Sequence, residues 1–532
     1  MTEDPVYLGD WAAADGDRVA LVIGDSEETY TYRRLDERSN QVANGLRSLG
    51  LEVGDGVAMM LDNSAAFVEV WWGGMRAGIY LTPINWHLTA REVRYLLTDS
   101  DAKAVFVHAR LLPIVTAALV DRTGVTVVVV DGTDGVDAGS LAASAVPAGA
   151  VAYEELVGSS PTTRLSPEVA GGIMFYSSGT TGQPKGIRPP LSGGPPEDGT
   201  SLMRFVAQRY GVPKGARYLS TGPLYHSAPI SWTTSMHTIG STAVVMRRFD
   251  AEEALRIIDH QRVTHVQFVP TMFQRILNLP ADVRARYDRS SLQAVWHAAA
   301  PCSVHLKRAM IDLFGPILWE YYAGSEGGGT VISSPEWLER PGSVGRHWTN
   351  GTISVLDPVS LSPLPAGEPG LVYFEPVSVH RFQYHNDPTK TDAAYHDGLF
   401  TLGDIGYLDA AGYLFLTDRK SNTIISGGVN IYPQEIEDVL TEHPAVTDAA
   451  VFGVPDEEYG EQVLAVVELV DPGAGSPALA AELNAHCRDR LAGFKVPRSM
   501  EFTDALPRDN NGKLYKRRLR DQYWEGHDSK LV

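Results

Sequence analysis

Tyr176-Ser177-Ser178-Gly179-Thr180-Thr181-Gly182-Gln183-Pro184-Lys185-Gly186 is the stretch from which the rest of the chain is read. It holds two serines, two threonines and three glycines around a single lysine. Glycines let a backbone approach a ligand closely, hydroxyls and amide N–H groups donate to phosphate oxygens, and Lys185 adds a positive charge. The P-loop pattern of Gly-Lys-Ser/Thr is absent, because Lys185 follows Pro184 and precedes Gly186. A flexible Ser/Thr/Gly linker would explain the composition, but not the order.

Outward from this loop, toward the N-terminus, strand and helix signals alternate. Val19–Ile23 reads as a strand. Leu35, Val42, Ala43, Leu46 and Leu49 fall on one helical face, with Gly50 placed to end the helix. Val57–Leu61 is the next strand, and Ser64 caps a helix reaching Arg76. Such β-α-β units predict parallel sheets covered by helices. Residues 132–150 read as a surface connection. Residues 188–200, with four prolines and three glycines, read as a loop without regular structure. From Ile353 to Leu416 short strands alternate with turns, the pattern of a small β subdomain. After Asp418 a further unit begins: strands at Val446–Val454, Val463–Val470 and Arg498–Phe502, and a helix at Leu479–Leu491.

The whole chain has 532 residues, 44% of them apolar and 21% charged, which suits a globular protein of two or three packed units. A formal charge of −20 argues against nucleic-acid partners and against adhesion to anionic lipid. Cys302 and Cys487 are the only cysteines, so neither a disulfide framework nor a thiolate metal cluster is expected. His226, His297 and His305 lack zinc spacing. No signal peptide or integral membrane segment is visible, and a cytoplasmic location is the expectation.

The order of the eleven residues from Tyr176 to Gly186 resembles the adenylate-forming superfamily of acyl-CoA synthetases, peptide-synthetase adenylation domains and luciferases, most of all the bacterial acyl-CoA synthetases. The resemblance extends through most of the chain. It implies an α/β fold: a large N-terminal AMP-binding domain, residues 1–418, with two helix-covered sheets and a β-barrel-like part near 345–416. A small mobile α+β domain, residues 419–532, would follow.

The resemblance also implies roles. Ser177, Ser178, Gly179, Thr180, Thr181, Gly182 and Lys185 would hold the phosphates of ATP. Tyr321-Tyr322-Ala323-Gly324-Ser325-Glu326 is similar to the family's aromatic, small, hydroxyl and acidic segment. There Tyr322 would face adenine, Ser325 the α-phosphate and Glu326, with Thr180, Mg²⁺. Ala323 stands for the usual glycine and Ser325 for the usual threonine. Ala299, Ala300 and Pro301 would run beside the adenine, and Asp404 and Arg419 would bind ribose hydroxyls. Leu402 is the one departure in Thr401-Leu402-Gly403-Asp404. Ser421, where Asp or Lys is usual, would be the hinge, and Gly427 and Gly428 would line the tunnel for coenzyme A. Lys513 in Gly512-Lys513 would stabilise charge in the transition state. The following charges, Lys516 to Arg520, are read as a solvated helix face.

For the acid, His226 is a candidate gate. Trp232, Met272, His297, Ala298 and Gly324 are candidate pocket residues, although Trp232, Met272 and His297 equally suit a core. The activity so implied is an ATP-dependent acid–thiol ligase: ATP and a bulky apolar carboxylic acid (fatty, steroid-side-chain, terpenoid or aryl) give an acyl-adenylate, then a CoA thioester and AMP. Two alternatives stay open, delivery to a carrier protein or an amine, and a half-reaction enzyme using preformed adenylate. A homodimer is also left open.

Overall fold

The computed structural model describes residues 5–24, 26, 28–131, 147, 149–177, 184–200, 204, 207–376, 381–419, 422–426, 429–456, 459–508 and 514–525. The chain forms two compact units. One contains residues 1–268, 278–296 and 381–392, the other residues 269–277, 297–380 and 393–532.

In the first unit, β1 (Val19–Ile23) and β2 (Glu28–Thr31) are antiparallel. The helix Tyr32–Ser48 follows, capped by Thr31, whose side chain accepts the Arg34 N–H. It stops where Gly50 adopts φ +83°, a left-handed conformation open to glycine. β3 (Gly56–Met60) leads to the helix Ala65–Arg76, capped as expected by Ser64. β4 (Tyr80–Pro83), β5 (Ala102–His108), β6 (Thr126–Val130), β7 (Val151–Ala152) and β8 (Gly172–Ile173) complete an all-parallel sheet of order β7-β6-β5-β3-β4-β8. Its central strands are buried on both faces, which explains runs such as Thr126-Val127-Val128-Val129-Val130.

β9 (Phe175–Ser177) and β10 (Lys185–Ile187) form a separate antiparallel ladder. A second sheet of this unit takes β11 (Arg217–Ser220), β12 (Thr242–Val245), β13 (His265–Phe268) and β14 (Ala294–His297) in the order β14-β13-β11-β12-β1-β2. The loop of residues 188–200 ends in a short 3₁₀ turn, Pro196–Thr200, a regular element that its prolines and glycines had argued against. Such a turn needs only i→i+3 bonds, and proline is tolerated at its start.

The second unit contains β15 (Leu318–Gly324), β16 (Gly327–Ser333) and β17 (Arg346–His347), paired antiparallel in that order. β18 (Ile353–Leu356), β19 (Gly370–Phe374), β20 (Tyr395–His396), β21 (Leu399–Leu408) and β22 (Leu414–Arg419) make the expected β subdomain. The C-terminal part has β23 (Ile424–Ser426), β24 (Val429–Ile431), β25 (Val446–Asp456), β26 (Gly460–Leu469) and β27 (Ser499–Thr503). Its core of Ile424, Ile436, Leu440, Val451, Val467, Leu483 and Cys487 joins that sheet to the helices Pro433–Thr441 and Pro477–Arg488.

Candidate functional site

In the first unit, the ladder β9–β10 sets Lys185 opposite Ser177, Gly186 opposite Tyr176 and Ile187 opposite Phe175. Ser178, Gly179, Thr180, Thr181 and Gly182 lie between these strands, outside the described residues. The base of the ladder is well anchored. The Tyr176 hydroxyl donates to Asp99 at 2.7 Å, and the Tyr95 hydroxyl donates to the carbonyl of Pro184 at 2.9 Å. The Lys185 ammonium sits 4.8 Å from the centre of the Tyr384 ring, and the His385 N–H donates to the Gly186 carbonyl at 2.7 Å. Burial and the Asp99 carboxylate push the Tyr176 hydroxyl far above its ordinary range, so it donates at every physiological pH.

The acid-pocket candidates of this unit divide. His226 stands at the N-terminus of the helix Ser227–Thr238, its ring 4.4 Å from that of Tyr225. Trp232, on the same helix, is buried in an aromatic stack, 4.1 Å and 15° from Trp296.

In the second unit, β15 and β16 pair Tyr321 with Val331, Tyr322 with Thr330 and Gly324 with Gly327. Ser325 and Glu326 are the two residues of the turn between them. A hairpin turn therefore presents a hydroxyl and a carboxylate together, one strand end away from Tyr322. A Cβ on Gly324 would meet Leu402 at 2.5 Å, so the departure at Leu402 is matched by the side-chain-free Gly324 against it. The Tyr322 hydroxyl donates to Asp404, and the Tyr322 ring lies 5.9 Å from Phe374. Asp404 is buried, and its Cα partner across the β21–β22 ladder is Arg419. Both ribose-ligand candidates thus occupy facing positions of adjacent strands.

His297 ends β14, and Ala298 behind it is buried. Ala299 has φ +74°, which costs a non-glycine residue about 1–2 kcal/mol. The left-handed backbone there was invisible because alanine gives no conformational signal. Ala300 and Pro301 continue the turn into the helix Val304–Phe314, capped by Ser303.

A buried ion pair stands beside this turn. The Lys307 ammonium is 2.5 Å from a Glu320 oxygen and 4.9 Å from the Trp337 ring, and the His297 Nε2 is 3.7 Å from the same carboxylate. Burial, aided by the Lys307 charge, drives His297 well below its usual range, so its ring is neutral. Burial of its sulfur also raises the Cys302 thiol above its ordinary value, which disfavours the thiolate. Neither Lys307 nor Glu320 stood out in the sequence, since their pairing joins a helix to a strand. Met272 is buried on the helix Pro270–Leu277, next to Phe273, whose ring is 5.3 Å from His297.

The segments around the expected hinge are tied down. The Asp418 carboxylate accepts the Gln434 N–H and the Asn422 side-chain amide, both at 3.0 Å. Ser421 lies between these anchors, and Gly427 and Gly428 lie between β23 and β24; all three fall outside the described residues. So does Lys513, but its flanks are described: Arg508 bridges to Leu514, and the Tyr515 N–H donates to the Pro507 carbonyl at 2.8 Å. Arg508 binds both Asp448 oxygens.

Lys516 corrects the reading of a solvated charge run. Its side chain is mostly covered, and its ammonium lies 2.6 Å from Glu437, on the helix Pro433–Thr441. Charge spacing cannot show this, because the partner is 79 residues away (516 minus 437). Arg517 does behave as an exposed helix residue, paired with Asp521.

For Mg²⁺, no group of three or more His, Cys, Asp or Glu side chains converges among the described residues. A single carboxylate at Glu326 fits a hard cation that takes its other oxygens from substrate phosphates. No helix among the described residues is long and apolar enough to cross a membrane.

Residues 8–381 match the family model "AMP-binding enzyme", and residues 435–513 match "AMP-binding enzyme C-terminal domain". A long-chain-fatty-acid–CoA ligase of Mycobacterium tuberculosis is 32% identical over 516 residues, covering 95% of each chain. A fatty acid–[acyl-carrier-protein] ligase of Streptomyces coeruleorubidus is 30% identical over 511 residues, covering 93% of this chain and 92% of that protein. The crystal structure of ATP-bound MatB from Rhodopseudomonas palustris superposes with a TM-score of 0.82 at 25% identity, covering 98% of this chain and 100% of that one. The chain belongs to the AMP-binding enzyme family and is an adenylate-forming ligase of carboxylic acids.

Proposed function

We propose that this AMP-binding enzyme joins an apolar carboxylic acid to coenzyme A in two steps through an acyl-adenylate. The observation that carries the reading is the arrangement of the second unit: the Ser325–Glu326 turn, Tyr322 bonded to Asp404, and Arg419 facing Asp404 across one ladder. It supplies an aromatic face, an acceptor for ribose and a hydroxyl–carboxylate pair for phosphate and cation.

In the first step a carboxylate oxygen attacks the α-phosphorus, a new O–P bond forms, and the bond to pyrophosphate breaks. Catalysis of such a displacement is positioning and charge neutralisation. Lys185 and the Ser177–Gly182 loop hold the phosphates, Ser325 reaches the α-phosphate, and Lys513 compensates the charge that builds there. Mg²⁺, when bound at Glu326 and Thr180, supplies further neutralisation of the phosphates. In the second step the small domain turns about Ser421 and CoA enters past Gly427 and Gly428. Its thiol gives up a proton and attacks the acyl carbon, and the bond from that carbon to AMP breaks. Neutral His297, buried Ala298 and the side-chain-free Gly324 suit an uncharged acyl group, and His226 is the candidate gate.

Acid-dependent ATP–pyrophosphate exchange, followed by mass spectrometry of products from an acid panel with CoA, tests this. Exchange and an acyl-CoA are expected with apolar acids. Thioester formed only from supplied acyl-adenylate, without exchange, would sink the first step. The carrier-protein ligase among the relatives favours a second reading, transfer to a carrier thiol. Product on phosphopantetheinylated carrier but none on free CoA would establish it.

A further inference from the structure

The ladder β9–β10 has a third member. Residues 381–392 belong to the first unit, although β19 before them and β20 after them in sequence belong to the second. This excursion is fixed on β10. Ile187 and Tyr384 form an antiparallel bridge, the His385 N–H donates to the Gly186 carbonyl at 2.7 Å, and the Arg188 N–H donates to the Gln383 carbonyl at 3.4 Å. The Tyr384 N–H donates to the Thr391 hydroxyl at 3.0 Å; buried Thr391 donates in turn to the Asp387 carbonyl at 2.9 Å.

Register then decides which side chains meet. Side chains alternate along a strand, so Lys185 shares a face with Ile187 and, across the bridge, with Tyr384. Continued pairing would set Asn386 opposite Lys185. Asn386 instead adopts φ +56°, and the segment turns away there. Tyr384 is thus the diagonal neighbour of Lys185, a separation that an aromatic ring and a long stem can span. The geometry agrees: the Lys185 ammonium lies 4.8 Å from the ring centre, and both residues are half-buried. The ring itself packs edge-on to Phe382, 5.2 Å away at 73°.

An aromatic partner has a chemical consequence. A lysine stem is flexible, and a loose ammonium gives up rotamer freedom when it grips a phosphate. A carboxylate would fix the ammonium, but it would also cancel the charge and compete with the phosphate. The face of a ring attracts the cation and leaves it its full charge. Asp387, the acidic residue of the same turn, is engaged by Lys390: it lies 2.8 Å from that ammonium and accepts the Lys390 N–H at 3.0 Å. Its carboxyl is held below the usual range first by Lys390, and Lys185 contributes least.

We propose that Tyr384 is a positioning residue for the adenylation step: its ring pre-sets the Lys185 ammonium for the phosphates of ATP without neutralising it, and the pairing of residues 383–385 with β10 holds the ring in place. This role rests on Lys185 being a phosphate ligand, as proposed above.

Acid-dependent ATP–pyrophosphate exchange on the full chain gives the Michaelis constant for ATP and the turnover of wild type, Y384L, Y384F, K185Q and the double variant Y384L/K185Q. K185Q should raise the constant for ATP about tenfold or more, the loss of a charged phosphate contact. Y384L should raise it about threefold to fivefold, the effect of one cation–π contact at a partly exposed site, with turnover little changed. Y384F keeps the ring and should restore a constant close to that of wild type. In the K185Q background, Y384L should add nothing further. An equal rise from Y384L with and without Lys185 overturns the proposal, because the ring would then act on the ladder and not through the ammonium. An unchanged constant in Y384L beside a raised one in K185Q overturns the role of Tyr384 alone. An unchanged constant in K185Q overturns the reading of Lys185 as a phosphate ligand, and the proposal with it.

Discussion

The ladder β9–β10 in the first unit and the Arg508↔Leu514 bridge in the second each flank, in sequence, a motif outside the described residues: 178–183 in one, Lys513 in the other. The first base is held by neutral donors and ring contacts, with Tyr176 on Asp99, Tyr95 on Pro184 and Lys185 over Tyr384. The second is held by charge: Arg508 on Asp448 and Lys516 on Glu437, above a small apolar cluster of Leu506, Leu514, Leu519 and Tyr523 against β25 and β26. A hydrogen bond from a neutral donor contributes about 1–3 kcal/mol, the upper part where the acceptor is a carboxylate as at Asp99, but the half-buried acceptor left behind can be hydrated, so losing one is tolerated. A buried ion pair contributes little net stability, yet removing one partner is severe because the other charge is left behind. The two bases should therefore fail in different ways.

The largest effect is expected for Lys516→Met. It strands the Glu437 carboxylate, which also accepts the Val451 N–H, and should cost about 3–5 kcal/mol. Hydrogen exchange should show lost protection across residues 514–524 and 433–441, with 175–187 unchanged. The double variant Lys516→Met/Glu437→Met should regain much of the loss. Equal loss in both regions, or no recovery in the double variant, would refute the contrast.

Next is Lys513→Ala. If this residue acts only on transition-state charge, acid-dependent pyrophosphate exchange falls about 10²–10³-fold. Protection of residues 514–524 should stay at its wild-type level. A loss of protection equal to that of Lys516→Met would make Lys513 a structural residue instead.

The first unit carries its own vulnerability, to acid. His237 is fully buried, its Nδ1 accepting the Trp72 indole N–H at 3.0 Å and its Nε2–H donating to the Ala20 carbonyl at 3.1 Å. Burial lowers its pKa to about 4, from about 6.5 in the unfolded chain. The folded form binds fewer protons, so this stability is complete above pH 6.5 and drains as pH falls toward 4. The loss amounts to about 3 kcal/mol. Melting temperature followed from pH 7.5 to 4 should drop less steeply in His237→Gln. Parallel curves for the two proteins would rule His237 out as the cause.

What the sequence made legible follows the same division. Backbone-determined features were readable: Gly50 ends its helix, Ser64 caps the next, and the Ser/Thr/Gly loop falls between two paired strands. That Asp404 and Arg419 belong together was suggested only by the family resemblance; the β21–β22 ladder makes them Cα partners. Side-chain pairs that join remote segments left no trace. Lys307 with Glu320 and Lys516 with Glu437 have no periodicity or spacing, so a lysine buried on glutamate looks, in sequence, like any surface lysine.

The smallest effect is expected for Tyr176→Phe, and it bears most directly on the contrast. Removing the hydroxyl leaves the ring in place and deletes one 2.7 Å bond to Asp99, so the local cost is about 1 kcal/mol. Asp99 is half-buried at the end of the helix Ala90–Asp99, where water can replace the lost donor. Hydrogen exchange at residues 175–177 and 185–187 should speed up about fivefold, while exchange at 514–524 is unchanged. The Michaelis constant for ATP should rise a few-fold, with little change in turnover, because a looser ladder weakens phosphate positioning without touching Lys513. A collapse of turnover comparable to Lys513→Ala would mean that the neutral base is no more forgiving than the charged one.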